Sequence, residues 1–260
     1  MSQPAAEAVL REDFDGAVVL TLHAPAFRNA FSVEMRETLL GEIRRASEEA
    51  VCRFIVLTGA GGHFCAGGRL QPQSEPDLER TRRNVGVLHD ITRLLYCGPK
   101  PTIAAVEGFA FGAGFSLAMA CDYVVAGEDM RFCASFGKVG LMADAGLAWT
   151  LAQRGGAAFA RDMLLTGREV RGEEALATGL IDRLVTAGTA REAALEAGQR
   201  YAGIAPLSIA ATKRVLDSHG SLEAVLAAEE IEQPQLTLSQ DYAEGRAAFR
   251  EKRAPVFRGL

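Results

Sequence analysis

The sequence predicts an α/β protein with a largely parallel sheet, followed by a helical C-terminal region near residues 196–260. Short β-rich runs alternate with longer stretches of helical periodicity. Two of the runs, Phe54–Thr58 and Thr102–Val106, are almost wholly apolar, as strands covered on both faces are. Past Tyr201 no run reads as a strand.

Ala17–Leu22 (AVVLTL) is the first strand. After the loop HAPAFRNAF a helix is expected from Val33 to about Ala46, with Ser32 as its N-cap and Glu34 and Glu37 near the positive end of its dipole. Phe54–Thr58 (FIVLT) runs straight into a glycine-rich loop. Glu79–Leu95 spaces Val85, Leu88, Ile91 and Leu95 at three and four residues, so a helix is expected there. Thr102–Val106, introduced by Pro99 and Pro101, leads to a second glycine-rich loop, a small-residue helix at Phe115–Ala120 and short strands at Asp122–Ala126 and Arg131–Ser135. From about Ala157 the pattern turns helical, and Gly167, Gly179 and Gly220 stand where helix C-caps are expected.

At about 150 residues per domain, 260 residues fit one large domain or a core with an appendage, divided here into 1–195 and 196–260. With 48% hydrophobic residues, such a chain buries roughly three quarters of its unfolded surface and needs neither disulfides nor a structural metal. The net charge of −5 and a pI near 5.5 give no general attraction to nucleic acid or to an anionic membrane. No apolar run approaches the ~20 residues of a membrane span. Met1–Leu10 lacks the basic start and apolar stretch of a secretory signal. Cys52, Cys65, Cys97, Cys121 and Cys133 form no CxxC pair and fit a reducing cytoplasm. His23, His63, His89 and His219 show no ligand spacing, so no metal is expected.

Chemistry is expected at the two loops, GAGGHFCAGGRL (Gly59 to Leu70) and VEGFAFGAGFSLAMACD (Val106 to Asp122), each a buried strand, a glycine-rich turn and a helical start. Glycine and alanine leave backbone N–H groups unshielded, and a helix N-terminus adds partial positive charge, so such loops suit an anion or a developing oxyanion. The alternative is tight turn packing. Neither loop has the GxGxxG arrangement of a dinucleotide site, and no GxxxxGK[ST] phosphate loop occurs.

FRNAFS (Phe27 to Ser32), HFCAGGRL, VEGFAFGAGFSLAMACD, FGKVGLMADAG (Phe136 to Gly146), LLTGREVRGEEALATGLIDRLV (Leu164 to Val185) and EGRAAFREKRAPVF (Glu244 to Phe257) resemble, in this order, the signatures of the crotonase family, the enoyl-CoA hydratase/isomerase superfamily. The resemblance spans the chain from about residue 10 to its end. It implies a crotonase-type ββα spiral core, a helical C-terminal trimerisation region and a homotrimer or dimer of trimers. It also implies an acyl-CoA thioester as substrate, with no cofactor beyond that coenzyme A.

Carried over residue by residue, the family's oxyanion hole falls on the peptide N–H groups of Gly68 and Ala113. Family hydratases place glutamates where this chain has Ser116 and Phe136, which argues against ordinary hydration. Asp144, in ADAG, is similar to the aspartate in the PDxG segment of family isomerases, where it is the proton-transfer base. One carboxylate suffices to move a proton between the α and γ carbons of an enolate, and enclosure raises its pKa. The competing role for Asp144 is a cap on the helix containing Trp149. Arg28, Ala66, Gly67, Leu70 and Lys252 are the candidates for CoA contact, Lys252 from a neighbouring subunit, with Arg28 equally readable as a solvated loop residue. Ser116, Phe136 and Trp149 are candidates for the acyl pocket, the two aromatics having a core role as the alternative. Arg69 replaces an acid usual in the family, and Glu107 is expected below the loop rather than at the reacting carbon.

An enoyl-CoA isomerase, favoured over a hydratase, is therefore the expected activity. Three competitors come from the same letters. Ser116, Asp144 and His219 follow a hydrolase order around GFSLA, although Ser116 stands ten residues beyond the end of its strand at Val106. A binding protein that has lost its glutamates is the non-catalytic alternative, and thioester hydrolysis on the same scaffold is another.

Overall fold

Along four strands, successive side chains alternate between two apolar layers, so both faces of the sheet must be covered. The computed structural model describes residues 8–69, 77–217 and 220–260. The strands are β1 (Ala8–Phe14), β2 (Ala17–His23), β3 (Phe54–Gly59), β4 (Thr102–Val106), β5 (Phe109–Phe111), β6 (Tyr123–Gly127), β7 (Arg131–Cys133), β8 (Glu169–Arg171) and β9 (Arg183–Val185). The helices are α1 (Val33–Glu48), α2 (Leu78–Cys97), α3 (Ala113–Ala120), α4 (Leu147–Gly155), α5 (Ala157–Thr166), α6 (Gly172–Ala177), α7 (Ala190–Ala202), α8 (Pro206–Asp217), α9 (Leu222–Thr237) and α10 (Gln240–Glu251). The main sheet runs β1-β2-β3-β4-β6-β9, antiparallel only at β1–β2, and a small sheet runs β5-β7-β8. This is a mixed α/β architecture, with a helical C-terminal region after it.

The alternation sorts the core. Ala17, Val19, Phe54, Val56, Ile103, Ala105 and Val125 face one side and pack on α7. Their neighbours Val18, Leu20, Ile55, Leu57, Ala104, Val106, Val124 and Ala126 face the other side, under α1, α2 and α3. The α7 contact is built from Ala190, Ala193, Ala194, Ala197 and Gly198, a stripe at helical spacing. Glycine is required at 198 because a β-carbon there would run into the Phe54 ring.

Several elements exceed the sequence reading. β1 is a charged edge strand, AVLREDF, and β5, β8 and β9 have three residues each, interrupting the stretches read as loop or helix. Ser32 caps α1 as expected, its Oγ accepting from Met35 N at 3.1 Å. Gly167 is the left-handed C-cap of α5, and Gly179, at φ +77°, follows α6. The 195/196 division falls inside α7, whose apolar stripe lies on the main sheet.

The C-terminal region attaches at the start of β3. The Arg53 guanidinium donates to the carbonyls of Ala202 (3.1 Å), Ile204 (3.0 Å) and Phe257 (3.3 Å). The buried Asp241 carboxylate accepts from the N–H groups of Arg258 and Gly259 and folds the tail onto α10. Both glycine loops leave from the opposite, C-terminal ends of β3 and β4, so sheet topology separates them from the tail within one chain. Among the described residues, no helix is long and apolar enough to cross a membrane.

Candidate active site

The first glycine loop is held by a residue the sequence reading did not single out. Asn29 is fully buried at φ +56°, a left-handed conformation that Asn tolerates in turns. Its Oδ1 accepts from Ala24 N (2.9 Å), and its Nδ2 donates to Ala60 O (2.8 Å) and His63 O (2.7 Å). Asn29→Ala is expected to lower stability by roughly 2–4 kcal/mol, because one buried and two half-buried backbone groups lose their partner together. Urea denaturation measures this, and a loss within experimental error would remove Asn29 from this role.

Beyond this clamp the loop becomes an extra strand beside β5. Cys65 N donates to Phe109 O (2.8 Å), and Phe111 N donates to Cys65 O (2.9 Å). On its other side, Ala66 N donates to Arg28 O, Phe31 N to Gly67 O, and Arg69 N to Phe31 O. That parallel bridge uses the groups of residues 67 and 69, so the Gly68 peptide N–H faces away from it.

Glycine then lets the two loops touch. A β-carbon on Gly67, at φ +97°, would lie 2.9 Å from Phe111 O and 3.6 Å from Gly112 Cα. Gly112 has φ +51° and ψ −125°, outside the range of side-chain-bearing residues. A β-carbon on Gly114 would strike the Cys65 carbonyl. Close approach at these three glycines sets the Gly68 and Ala113 peptides on adjoining segments. Ala113 opens α3, whose first-turn N–H groups have no partner within the helix. Among the described residues, neither the Gly68 nor the Ala113 N–H donates to a protein acceptor.

Asp144 lies between a 3-10 segment, Ser135–Val139, and α4. The capping alternative for its side chain does not hold. Ala145 (φ +48°) and Gly146 (φ +74°) intervene, Gly146 is the N-cap, and no side chain caps the helix. The Asp144 carbonyl instead accepts from Leu147 N (3.1 Å) and from Ser116 Oγ (3.1 Å). Thr92 Oγ1, on α2, lies within reach of the next carbonyl, Ala145 O (3.2 Å), and of Leu88 O (2.9 Å). With its backbone pinned from α2 and α3, the Asp144 side chain keeps Oδ1 buried and without a hydrogen-bond partner. Burial pushes its pKa above the usual carboxylate range, while Arg36 and His89 pull it down.

Two of those neighbours, Arg36 on α1 and His89 on α2, were also missed; both lie on helices whose pattern reads as ordinary amphipathic surface. Ser116 is fully buried, with its Oγ within reach of the Gly112 and Asp144 carbonyls, so its hydroxyl is turned to backbone rather than into open space. Phe136 is buried, with Cζ 3.9 Å from where a β-carbon on Gly112 would sit. Trp149 is on α4 and 46% exposed. The exposed Arg28 stacks over Phe109 at 4.6 Å, and Arg131 stacks on the same ring at 4.7 Å. Arg69 stacks over Phe27 at 3.7 Å. Glu107 is turned to the α7 side, its Oε1 accepting from Ala190 N (2.8 Å).

Lys252 is the left-handed C-cap of α10, and among the described residues no hydrogen bond or ion pair joins it to either loop. Leu70 and His219 lie outside the described residues. Among the described residues, no three His, Cys, Asp or Glu side chains gather as metal ligands would.

A family profile described as enoyl-CoA hydratase/isomerase matches residues 12–259. The chain is 34% identical over 244 residues to 2,3-dehydroadipyl-CoA hydratase of Escherichia coli, covering 93% of this chain and 95% of that protein. It is 32% identical over 261 residues to 1,2-epoxyphenylacetyl-CoA isomerase of Escherichia coli, covering 97% and 99%. A solved enoyl-CoA hydratase from a Polaromonas species superposes with a TM-score of 0.90 at 34% identity, covering 96% of this chain and 100% of that one.

Proposed function

This chain is a member of the enoyl-CoA hydratase/isomerase family, and on that premise we propose that it shifts a double bond in an acyl-CoA thioester, with Asp144 as the proton shuttle. A thioester α-proton is too weakly acidic to leave unless the resulting oxyanion is held. Gly68 N–H and Ala113 N–H supply that hold, and losing one such donor costs roughly 2.7–4 kcal/mol of activation free energy. Ionised Asp144 takes the α-proton of a 3-enoyl ester, electrons move onto the thioester oxygen, and the Asp144 carboxylic acid returns the proton at the γ carbon. The product is the 2-enoyl ester, with the base regenerated.

One observation carries this assignment above its alternatives: the buried, unpartnered Asp144 Oδ1 is set by Ser116 beside the start of α3, while both positions where hydratases of the family carry glutamates hold uncharged residues, Ser116 and Phe136. Hydration is the second reading, favoured by the likeness to 2,3-dehydroadipyl-CoA hydratase. Phe136 and Trp149, with the Ser116 backbone, are proposed to border the acyl chain. Arg28, Ala66, Gly67 and Leu70 are proposed to meet the CoA moiety. Lys252 is proposed to reach it from a neighbouring subunit, since its own loops lie at the far end of the sheet.

Residues 196–260 are proposed as the assembly region of a trimer or dimer of trimers; Ile231, Leu238 and Phe249 are exposed there at 68%, 81% and 84%, more than a lone chain needs. No cofactor besides the CoA of the substrate enters this scheme, and the five free cysteines support a cytoplasmic setting.

Product identification on a panel of short, long and aromatic enoyl-CoA esters tests the proposal. Interconversion of 2- and 3-enoyl esters supports it; 3-hydroxyacyl-CoA as sole product supports hydration; free CoA supports hydrolysis; no turnover leaves a binding protein. Ser116→Ala addresses the hydrolase order separately. Loss of a hydrogen bond of about 1 kcal/mol is expected to slow isomerisation less than tenfold, whereas a nucleophile's removal would abolish turnover.

A further inference from the structure

Among the described residues, four buried side-chain atoms have no hydrogen-bond partner: Arg36 Nε, Asp144 Oδ1, Glu107 Oε2 and Arg191 Nε. Buried polar groups are nearly always paired, so each exception calls for a partner that arrives from elsewhere. Glu107 is pushed above the usual carboxylate range by burial and by the Asp129 side chain beside it, and its other oxygen accepts from Ala190 N, while Arg191 pairs with Glu12 through Nη2. Arg36 and Asp144 are the remaining two, a donor and an acceptor close enough for the charge of each to act on the other.

Arg36 Nη2 lies 3.6 Å from where a β-carbon on Gly68 would sit, at the edge of one proposed oxyanion donor. Asp144 is tied through Ser116 to the helix that begins with the other. Arg36 stands in the first turn of α1, where the helix dipole disfavours a cation, so helix stability does not explain it. Among the described residues its Nε is buried and has no hydrogen-bond partner. Burial pushes its pKa down, and the Asp144 charge opposes that shift.

A guanidinium only donates and an ionised carboxylate only accepts. An acyl carboxylate would meet Arg36 but repel Asp144; an ammonium would do the reverse; a plain hydrocarbon would leave both unmet. A hydroxyl accepts from one and donates to the other. We propose that Arg36 is a specificity-determining residue that selects CoA esters whose acyl chain carries a hydroxyl near the reacting carbons, the oxygen accepting from Arg36 Nε–H and donating to Asp144 Oδ1. A held water has the same hydrogen-bonding pattern, but beside the base it would open the hydration route that a bond shift must avoid. The inference rests on the acyl-CoA isomerase reading.

Binding separates the two. Dissociation constants are measured by calorimetry for a saturated acyl-CoA and its δ-hydroxylated counterpart of equal length, neither of which reacts, on the full chain and on Arg36→Met and Arg36→Lys. The hydroxylated ester is expected to bind the unaltered chain roughly 10–100-fold more tightly, the range for one hydrogen bond to a charged group. The ratio falls to near one in Arg36→Met and recovers only in part in Arg36→Lys. Thermal melting is expected to show no loss of fold in Arg36→Met, which removes an unmet buried donor. A ratio near one in the unaltered chain, or one preserved in Arg36→Met, overturns the proposal; equal weakening of both esters by Arg36→Met does so in favour of a held water. Absence of isomerase turnover with a preserved hydroxyl preference overturns only the catalytic reading.

Discussion

Asp144→Asn is expected to lower the kcat of enoyl-CoA isomerisation by roughly 10²–10⁴-fold, the usual contribution of a positioned acid/base group, while raising the melting temperature near neutral pH. Both effects come from one cause. Burial raises the folded-state pKa of Asp144 above its unfolded value. The stabilising contribution of the neutral acid is complete below the unfolded carboxylate range and is lost as pH rises through the raised folded value. At neutral pH the ionised group therefore weighs against folding, and Asn relieves it. Thermal melts of the two proteins should converge in acid. The same sign sets the activity profile: the base must be ionised to act, so kcat/KM of the unaltered chain should fall on acidification at a pH above the ordinary aspartate range. An Asn variant with undiminished turnover would remove Asp144 from the chemistry.

Ala113→Pro is expected to lower kcat by roughly 10²–10³-fold, the loss measured when one oxyanion donor is deleted, with little change in stability. A peptide N–H is normally beyond the reach of mutagenesis, but Ala113 is the first residue of α3. Proline is well suited to that position, where its missing N–H would have had no helical acceptor. Gly112, with φ +51° and ψ −125°, lies outside the α region that a following proline disfavours. The proline ring also fills the space that the N–H addressed, so both losses act in the same direction. Steady-state kinetics with melting as a control checks this; full activity in a folded Ala113→Pro would place the thioester oxygen elsewhere.

The interior strands were legible because covering on both faces makes them apolar throughout: β2, β3, β4 and β6 stand out by composition alone. β1 was not, since an edge strand paired on one side carries Arg11, Glu12 and Asp13. Three-residue strands such as β5 and β8 have no periodicity to read and exist through backbone pairing with distant segments. The glycines at 67, 112 and 114 were visible as letters, but their function is the mutual approach of two loops, which no local pattern encodes.

Asp144 stood out by its motif, and the capping alternative fell only once the structure placed the helix N-cap at Gly146, two residues further on. Arg36 left no signal, because a charged residue in an amphipathic helix is ordinary until its neighbours are known.

Proton traffic gives the most direct measure of the central claim. A 3-enoyl-CoA ester incubated with the full chain in deuterium oxide and followed by NMR should gain deuterium at both the α and the γ carbon, with no oxygen added to the acyl chain. Asp144→Asn should suppress labelling at both positions together. Labelling at neither carbon in the unaltered chain, or label confined to a hydrated product, would contradict a single carboxylate serving both ends of an enolate held by two peptide N–H groups.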